Sequence, residues 1–181
     1  YSPRFGIFPA AIGLFAFSWF ELVALNGELP RNVAIAALDY TCFTVIAMSI
    51  WGVDSWMRYG ETFSVYFSLI GRIGPLKRSN GHMVLRWPFS GLVRYDPPVG
   101  IVLFVSIMIG VVSFDGLQEG PVWSRIGPEL QTVFTRILDD TGARLLSESL
   151  GLVITIAIIW GFYRAGIETI RYATRKTEKP Y

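Results

Sequence analysis

The chain has 181 residues, of which 52% are hydrophobic and 15% aromatic, and its net charge at neutral pH is +2. This composition is more apolar than a soluble domain of that size usually carries, so we expect a membrane-embedded protein. The basic residues flank long apolar runs, which argues against binding to nucleic acid, and the lone Cys42 excludes a disulfide within the chain.

Four apolar runs predict transmembrane helices, because a bilayer core about 30 Å thick needs roughly 20 apolar helical residues. The runs cover about residues 5–25, 33–53, 97–117 and 146–166. The first contains a single charged residue, Glu21, and the second contains a single charged residue, Asp39. We therefore expect an all-α membrane protein with about four transmembrane helices, folded as one integral membrane domain over residues 1–181.

Shorter segments are expected at the membrane surface. Residues 62–71 are too few to span a bilayer, which predicts an interfacial or re-entrant segment. Glycine and proline then interrupt the chain, so residues 82–93 are expected to form a short hairpin or loop. A surface amphipathic helix is predicted to begin at Pro128, because apolar residues recur at helical spacing at Leu130, Val133, Phe134, Ile137 and Leu138.

Lysine and arginine predict the orientation, since cytoplasmic loops hold the excess of these residues. They are concentrated in segment 54–96 and in the tail after the fourth run, whereas segment 115–145 is mainly acidic. We therefore expect residues 54–96 and both termini to be cytoplasmic and residues 115–145 to be external.

Four carboxylates are predicted in the outer half of the bundle and are candidates for an ion or proton site: Glu21, Asp39, Asp115 and Glu148. Ionisable groups inside a span are costly unless they are paired or hydrated. The alternative is that the acids within the spans pair with Arg31, Arg144 or nearby hydroxyls of Ser18, Tyr40 and Thr41, which would lock the register of the helices.

Small residues at four-residue spacing predict close helix packing. They are Ser106 and Gly110 in the third run and Ala157, Gly161 and Ala165 in the fourth. The only histidine, His82, falls in a predicted loop, and phosphate-binding and metalloprotease motifs are absent from the sequence. We therefore expect no metal site and no cofactor, with the lipid bilayer and other membrane subunits as partners.

A stretch from Asp39 to Leu92 resembles a family of multi-span bacterial membrane proteins often labelled fenitrothion hydrolase. Within this stretch the resemblance rests on Trp51-Gly52, Arg58-Tyr59-Gly60-Glu61-Thr62-Phe63-Ser64-Val65-Tyr66-Phe67, Arg72-Ile73-Gly74-Pro75-Leu76 and Arg86-Trp87-Pro88. Beyond it, Ser113-Phe114-Asp115-Gly116-Leu117 extends the likeness. The resemblance implies a location in the bacterial cytoplasmic (inner) membrane. The matching residues contain no recognisable hydrolytic constellation.

Three functions from different classes follow from these features. The first is a structural or assembly subunit of a larger membrane complex, without catalytic activity of its own, which the small size and small-residue stripes favour. The second is a permease, or part of a cation- or proton-coupled transporter, which Glu21 and Asp39 favour. The third is the membrane-bound hydrolase that the resemblance implies.

Overall fold

A computed structural model describes residues 5–27, 29–79, 81–93 and 95–177. As predicted, these residues are mostly helical, and the exception to the all-α prediction is one two-stranded sheet. In chain order the elements are α1 Phe8–Leu22, α2 Pro30–Trp51, α3 Val53–Tyr59, α4 Thr62–Ile73, β1 Leu76–Ser79, β2 His82–Leu85, α5 Ser90–Val93, α6 Ile101–Gln118, α7 Trp123–Phe134 and α8 Asp140–Thr177.

Three of the described helices are long and apolar enough to cross a membrane, namely α2, α6 and the part of α8 from Asp140 to Ala173. The first apolar run forms a shorter helix, because α1 has 15 residues and the chain turns after Leu22. In that turn the Gly27 amide donates to the Ala24 carbonyl at 3.1 Å. Helix α8 is longer than the predicted run 146–166, because its helical hydrogen bonds continue through the glycines and charged residues at both ends.

After Trp51 the chain runs back alongside α2. Gly52, with φ of 83°, ends α2 and starts α3 in a left-handed conformation that suits glycine. Trp56 of α3 stacks on the Trp51 ring at 5.3 Å and packs edge-on against Phe43 at 5.7 Å. Further along, Phe63 contacts the ring of Tyr40 at 5.4 Å. These contacts place the start of α4 beside the middle of α2.

The predicted hairpin lies mainly upstream of residues 82–93. Strand β1 pairs antiparallel with β2, in a register that sets Leu76 opposite Leu85 and Ser79 opposite His82. Residues 90–93 form the short helix α5. The hairpin begins earlier than predicted because residues 76–79, which follow Pro75, supply its first strand.

The amphipathic helix begins five residues before the predicted Pro128. The Val122 carbonyl accepts hydrogen bonds from Arg125 and Ile126 at 3.3 and 3.2 Å, which builds an additional turn, and Pro128 lies inside α7. The ring of Trp123 anchors this turn by packing edge-on against Phe114 at 5.2 Å. Helix α7 ends at Phe134, so the predicted positions Ile137 and Leu138 lie beyond it and are exposed.

The chain divides into two compact units. The first comprises residues 1–14 and 34–101, and the second comprises residues 15–33 and 102–181. The first unit buries apolar side chains such as Ile7, Trp56 and Val65. The second buries Phe104, Phe114, Leu152 and Ile156 among others. Both units therefore have an apolar core of their own.

The two small-residue stripes have different surroundings. Ser106 and Gly110 are buried in the second unit, and a Cβ added at Gly110 would lie 2.6 Å from Cγ1 and 2.9 Å from Cα of Ile156 in α8. Gly161, in contrast, has nothing within 4 Å of its virtual Cβ among the described residues, and Ala157 and Ala165 are exposed. The first stripe lets α6 and α8 approach, while the second faces outward.

We expect Gly110→Ala to lower the melting temperature of the purified protein in detergent, because the new methyl group must displace the Ile156 backbone at a cost of about 1–3 kcal/mol. Gly161→Ala is the matched control, since it brings the same gain in helix propensity into open space. Equal melting temperatures for the two variants would contradict the close approach of α6 and α8.

Candidate functional site

A buried carboxylate, Glu61, begins helix α4 beside the middle of α2. The Glu61 residue is 7% exposed, and its side chain accepts hydrogen bonds from the backbone amides of Phe63, at 3.1 Å, and of Ser64. The Tyr40 hydroxyl of α2 donates to the same carboxylate. That hydroxyl in turn accepts from the Thr62 amide at 3.2 Å. Glu61 therefore satisfies the first amides of α4 and ties this helix to α2.

Thr62 fastens the same turn to helix α1. Its hydroxyl donates to the Ala10 carbonyl at 3.2 Å, and both residues are buried. Nearby, the Ile7 amide donates to the Val99 carbonyl at 2.9 Å. Three separate parts of the sequence therefore meet around Glu61 and Thr62, within the first unit.

An open cavity of about 790 Å³ lies between α3, α4 and the segment that precedes α6. One face of α3 supplies Asp54 and Arg58, and one face of α4 supplies Ser64, Ser68 and Arg72. The remaining lining residues are Ile7, Met57, Tyr59, Val65, Leu69, Tyr95, Asp96, Pro97 and Pro98. The described part of the cavity lining therefore includes two cationic and two anionic side chains together with several hydroxyl groups.

Two arginines at the end of α4 have different tasks. Arg86 follows the hairpin and donates to the carbonyls of Gly71, Arg72 and Gly74 at 2.6, 3.0 and 3.0 Å. It thereby caps the carboxyl end of α4, where a cation is also favoured by the helix dipole. The guanidinium of Arg72 is left to line the cavity, and it lies over the Tyr95 ring at 4.1 Å from the ring centroid.

The phenol of Tyr95 lies in the wall of this cavity. Burial raises the pKa of this phenol above the ordinary value; the nearby Arg72 lowers it and Asp96 raises it. Since burial prevails, the phenol stays neutral at physiological pH and keeps its proton.

The four predicted carboxylates do not share one compact unit. Asp39 belongs to the first unit, whereas Glu21, Asp115 and Glu148 belong to the second. Glu148 pairs with Arg144 at 2.9 Å, and its other carboxylate oxygen is buried without a partner among the described residues. The remaining three acids are exposed and form no ion pair with a described residue.

Pairing of Glu21 or Asp39 with Arg31 is not observed among the described residues, and Arg144 pairs with Glu148 instead. The proximity of Glu21 to Asp39 stays a prediction. In the part of the chain that the structure describes, no group of three or more His, Cys, Asp or Glu side chains is placed to hold a metal ion.

Sequence reasoning did not predict Glu61, Arg72 or Tyr95 as site residues, although Glu61 and Arg72 are among the residues that carry the resemblance. Glu61 stands outside the apolar runs, and glutamate is not among the residues that most often cap helices. A usable signal was present, because Gly60-Glu61 directly precedes the apolar and aromatic residues of α4. Arg72 could not be distinguished from Arg86 by sequence alone.

We expect Glu61→Ala to lower the free energy of unfolding by about 1–3 kcal/mol, because it removes the cap of α4 and leaves the Tyr40 hydroxyl without its acceptor. Thermal melts in detergent, with Tyr40→Phe and the double variant, would measure the coupling between the two side chains. Glu168→Ala, at an exposed position of α8, is the control. Fully additive effects of Tyr40→Phe and Glu61→Ala would show that the contact carries no energy.

This chain matches no family model, no curated protein and no solved structure. The geometry around Glu61, the charged cavity and the exposed Asp39 are therefore the basis for a functional proposal.

Proposed function

We propose that this chain is an integral membrane subunit that assembles through helix α2 with a different membrane-embedded chain. The observation that carries the proposal is the position of Asp39. It is the tenth of the 22 residues of α2, about 14 Å from the start of the helix, and its side chain is exposed. It forms no hydrogen bond or ion pair with a described residue, so its charge requires a partner from outside this part of the chain.

Most of helix α2 belongs to the first unit, which gives it almost no cover. Only 6% of its most apolar 18-residue stretch is buried, against 28% of the corresponding stretch of α6. Tyr40 points into the first unit, and its neighbour Asp39 is rotated about 100° away from it. A carboxylate in the middle of a span costs about 2.5–3.5 kcal/mol when it faces lipid. A helix that supplies a basic group or a hydrogen-bond donor would remove this cost.

The chemistry of α2 favours a different chain over a second copy. Its one basic residue, Arg31, lies in the first turn, far from Asp39 along the helix. Two copies that packed α2 against α2 about a parallel two-fold axis would bring the two Asp39 carboxylates together, and their like charges would repel. The proposed partner therefore carries a lysine, arginine, histidine or amide at the depth of Asp39.

A permease, or part of one, is the second candidate, and the path of α3 and α4 favours it. Helix α4 begins beside the middle of α2 and leads to the charged cavity, as interrupted helices do in many transporters. Under this function, Asp39 binds a cation or proton instead of a partner helix. The hydrolase implied by the resemblance stays a prediction.

The proposed location is the bacterial inner membrane, with α1 as a fourth, short span and both termini cytoplasmic. The support for this orientation is the excess of lysine and arginine in segment 54–96.

We expect the exposed Cys42, three residues from Asp39 on α2, to be cross-linked to the partner in native membranes by a short thiol-specific photo-cross-linker, whose photoreactive end inserts into any neighbouring C–H bond of the partner. Asp39→Leu should abolish the cross-linked species, whereas Ser49→Leu, also exposed on α2, should retain it. The trapped peptide, identified by mass spectrometry, should be a transmembrane segment with a basic or amide side chain.

A cross-link that survives Asp39→Leu, or one that joins only two copies of this chain, would refute assembly through Asp39 with a different chain. If Asp39→Asn instead removes an ion- or pH-dependent stabilisation of the isolated protein, the transporter function is supported.

The orientation predicts different labelling of two introduced cysteines in a Cys42→Ser background. In intact cells an impermeant maleimide should react with a cysteine at Ser124 and should reach a cysteine at Lys77 only after the membrane is permeabilised. Both positions are exposed in the structure, so access to the reagent depends on the side of the membrane. The reverse pattern would invert the proposed topology.

A further inference from the structure

Among the described residues, the charged cavity of the first unit is lined by two cations and two anions that form no ion pair with one another. Arg58 and Arg72 form no ion pair with Asp54, Asp96 or any other described acid. Charges that share a cavity without pairing are available to a ligand that itself carries both signs. A ligand with one sign alone would meet repulsion from half of the charged lining.

Arg72 is positioned to bind an anionic group. Its Nε atom is buried and has no hydrogen-bond partner among the described residues, and its guanidinium is held over the Tyr95 ring. Arg86 already satisfies the carbonyls at the end of α4, so this task does not occupy Arg72. A buried donor without an acceptor is unfavourable, and phosphate matches the planar guanidinium with two parallel hydrogen bonds.

The cavity lies next to the ends of two candidate membrane spans, α2 and α6. Its α3 wall begins three residues after Trp51, the last residue of α2, and its third wall directly precedes α6. The indole rings of Trp51 and Trp56 stack at this end of α2, and tryptophan prefers the headgroup level of a membrane. Ile7, Val65 and Leu69 give the cavity an apolar side suited to the start of the acyl chains.

We propose that this cavity binds a zwitterionic group that carries both a phosphate and a primary amine, the chemistry of phosphoethanolamine. Arg72 and Arg58 face the phosphate, and Asp54 and Asp96 face the ammonium group. The proposal goes beyond assembly through Asp39 and does not depend on it.

The test is a titration of the purified chain in detergent with short-chain phosphatidylethanolamine, followed by melting temperature and by native mass spectrometry. We expect a saturable rise in melting temperature and one bound lipid. Short-chain phosphatidylglycerol, which has the phosphate but no amine, should bind about tenfold more weakly. Equal stabilisation by the two lipids would overturn the proposal.

Variants then test which residues bind the phosphate and which bind the ammonium group of the ligand. Arg72→Gln should weaken binding of phosphatidylethanolamine about tenfold, and Arg72→Lys should recover part of it. Asp96→Asn should reduce the preference for ethanolamine over glycerol headgroups. Lys77→Gln, an exposed cation of β1 outside the cavity, is the control and should bind as the unmodified chain does. Undiminished binding by both Arg72→Gln and Asp96→Asn, with unchanged melting of the lipid-free proteins, would refute the assignment.

Free phosphoethanolamine separates the two sources of this chemistry. Binding of the lipid alone would identify the membrane as the source, and binding of the free compound alone would identify a soluble one. Binding of both would show that the headgroup suffices. Binding of neither would overturn the proposal. Because these measurements use the isolated chain, their failure leaves assembly through Asp39 untouched, and loss of the Cys42 cross-link leaves the cavity untouched.

Discussion

The carboxylate of Glu61 is the constraint on which the first unit depends. It is buried among backbone amides and the Tyr40 hydroxyl, and these donors replace the water that an ionised carboxylate would otherwise need. Because three of its partners come from the start of α4 and from α2, the position of the α3–α4 turn follows from satisfying this one side chain. Removing any partner would leave a polar group buried without compensation.

The turn between α3 and α4 positions both helices and the cavity between them. Helix α3 runs back along α2 to reach Glu61, and α4 returns toward the end of α2 where the cavity opens. At the top of α4 the free carbonyls are satisfied by Arg86 from beyond the hairpin. Because Arg86 binds these carbonyls, Arg72 stacks on Tyr95, and its Nε atom has no hydrogen-bond acceptor among the described residues. The same helix is therefore capped by an acid at one end and by a base at the other, as its dipole favours.

Two adjacent residues of α2 illustrate how the proposed assembly is linked to the fold. Tyr40 points into the first unit and completes the contacts of Glu61, while Asp39 points outward without a described partner. Helix α2 thus has one polar side chain, Tyr40, that is hydrogen-bonded within the chain, and another, Asp39, that has no described partner. In a membrane, where water cannot hydrate the second group, the difference is a reason for a partner helix, and it is the physical basis of the subunit proposal.

The sequence by itself determined the helical, apolar character of the chain and the approximate positions of α2, α6 and α8. These features are local, since the length of an apolar run depends only on neighbouring residues. The end of α2 at Trp51 was not predicted, because the second run continued through Gly52. The sequence also indicated the interruption of the chain between α2 and α6. The start of α7 was missed because Trp123 is anchored by Phe114, a contact that the local pattern does not contain.

Only the tertiary structure decided which polar groups matter. The rule that a lone charge in an apolar run is a candidate selected Glu21 and Asp39 and passed over Glu61, which lies in a polar stretch and is nevertheless buried. Tyr40 and Glu61 are 21 residues apart, and Arg86 lies 14 residues beyond Arg72. Burial and hydrogen bonding depend on such non-local contacts, so the tasks of Arg72 and Arg86 became distinct once the chain had folded back along α2.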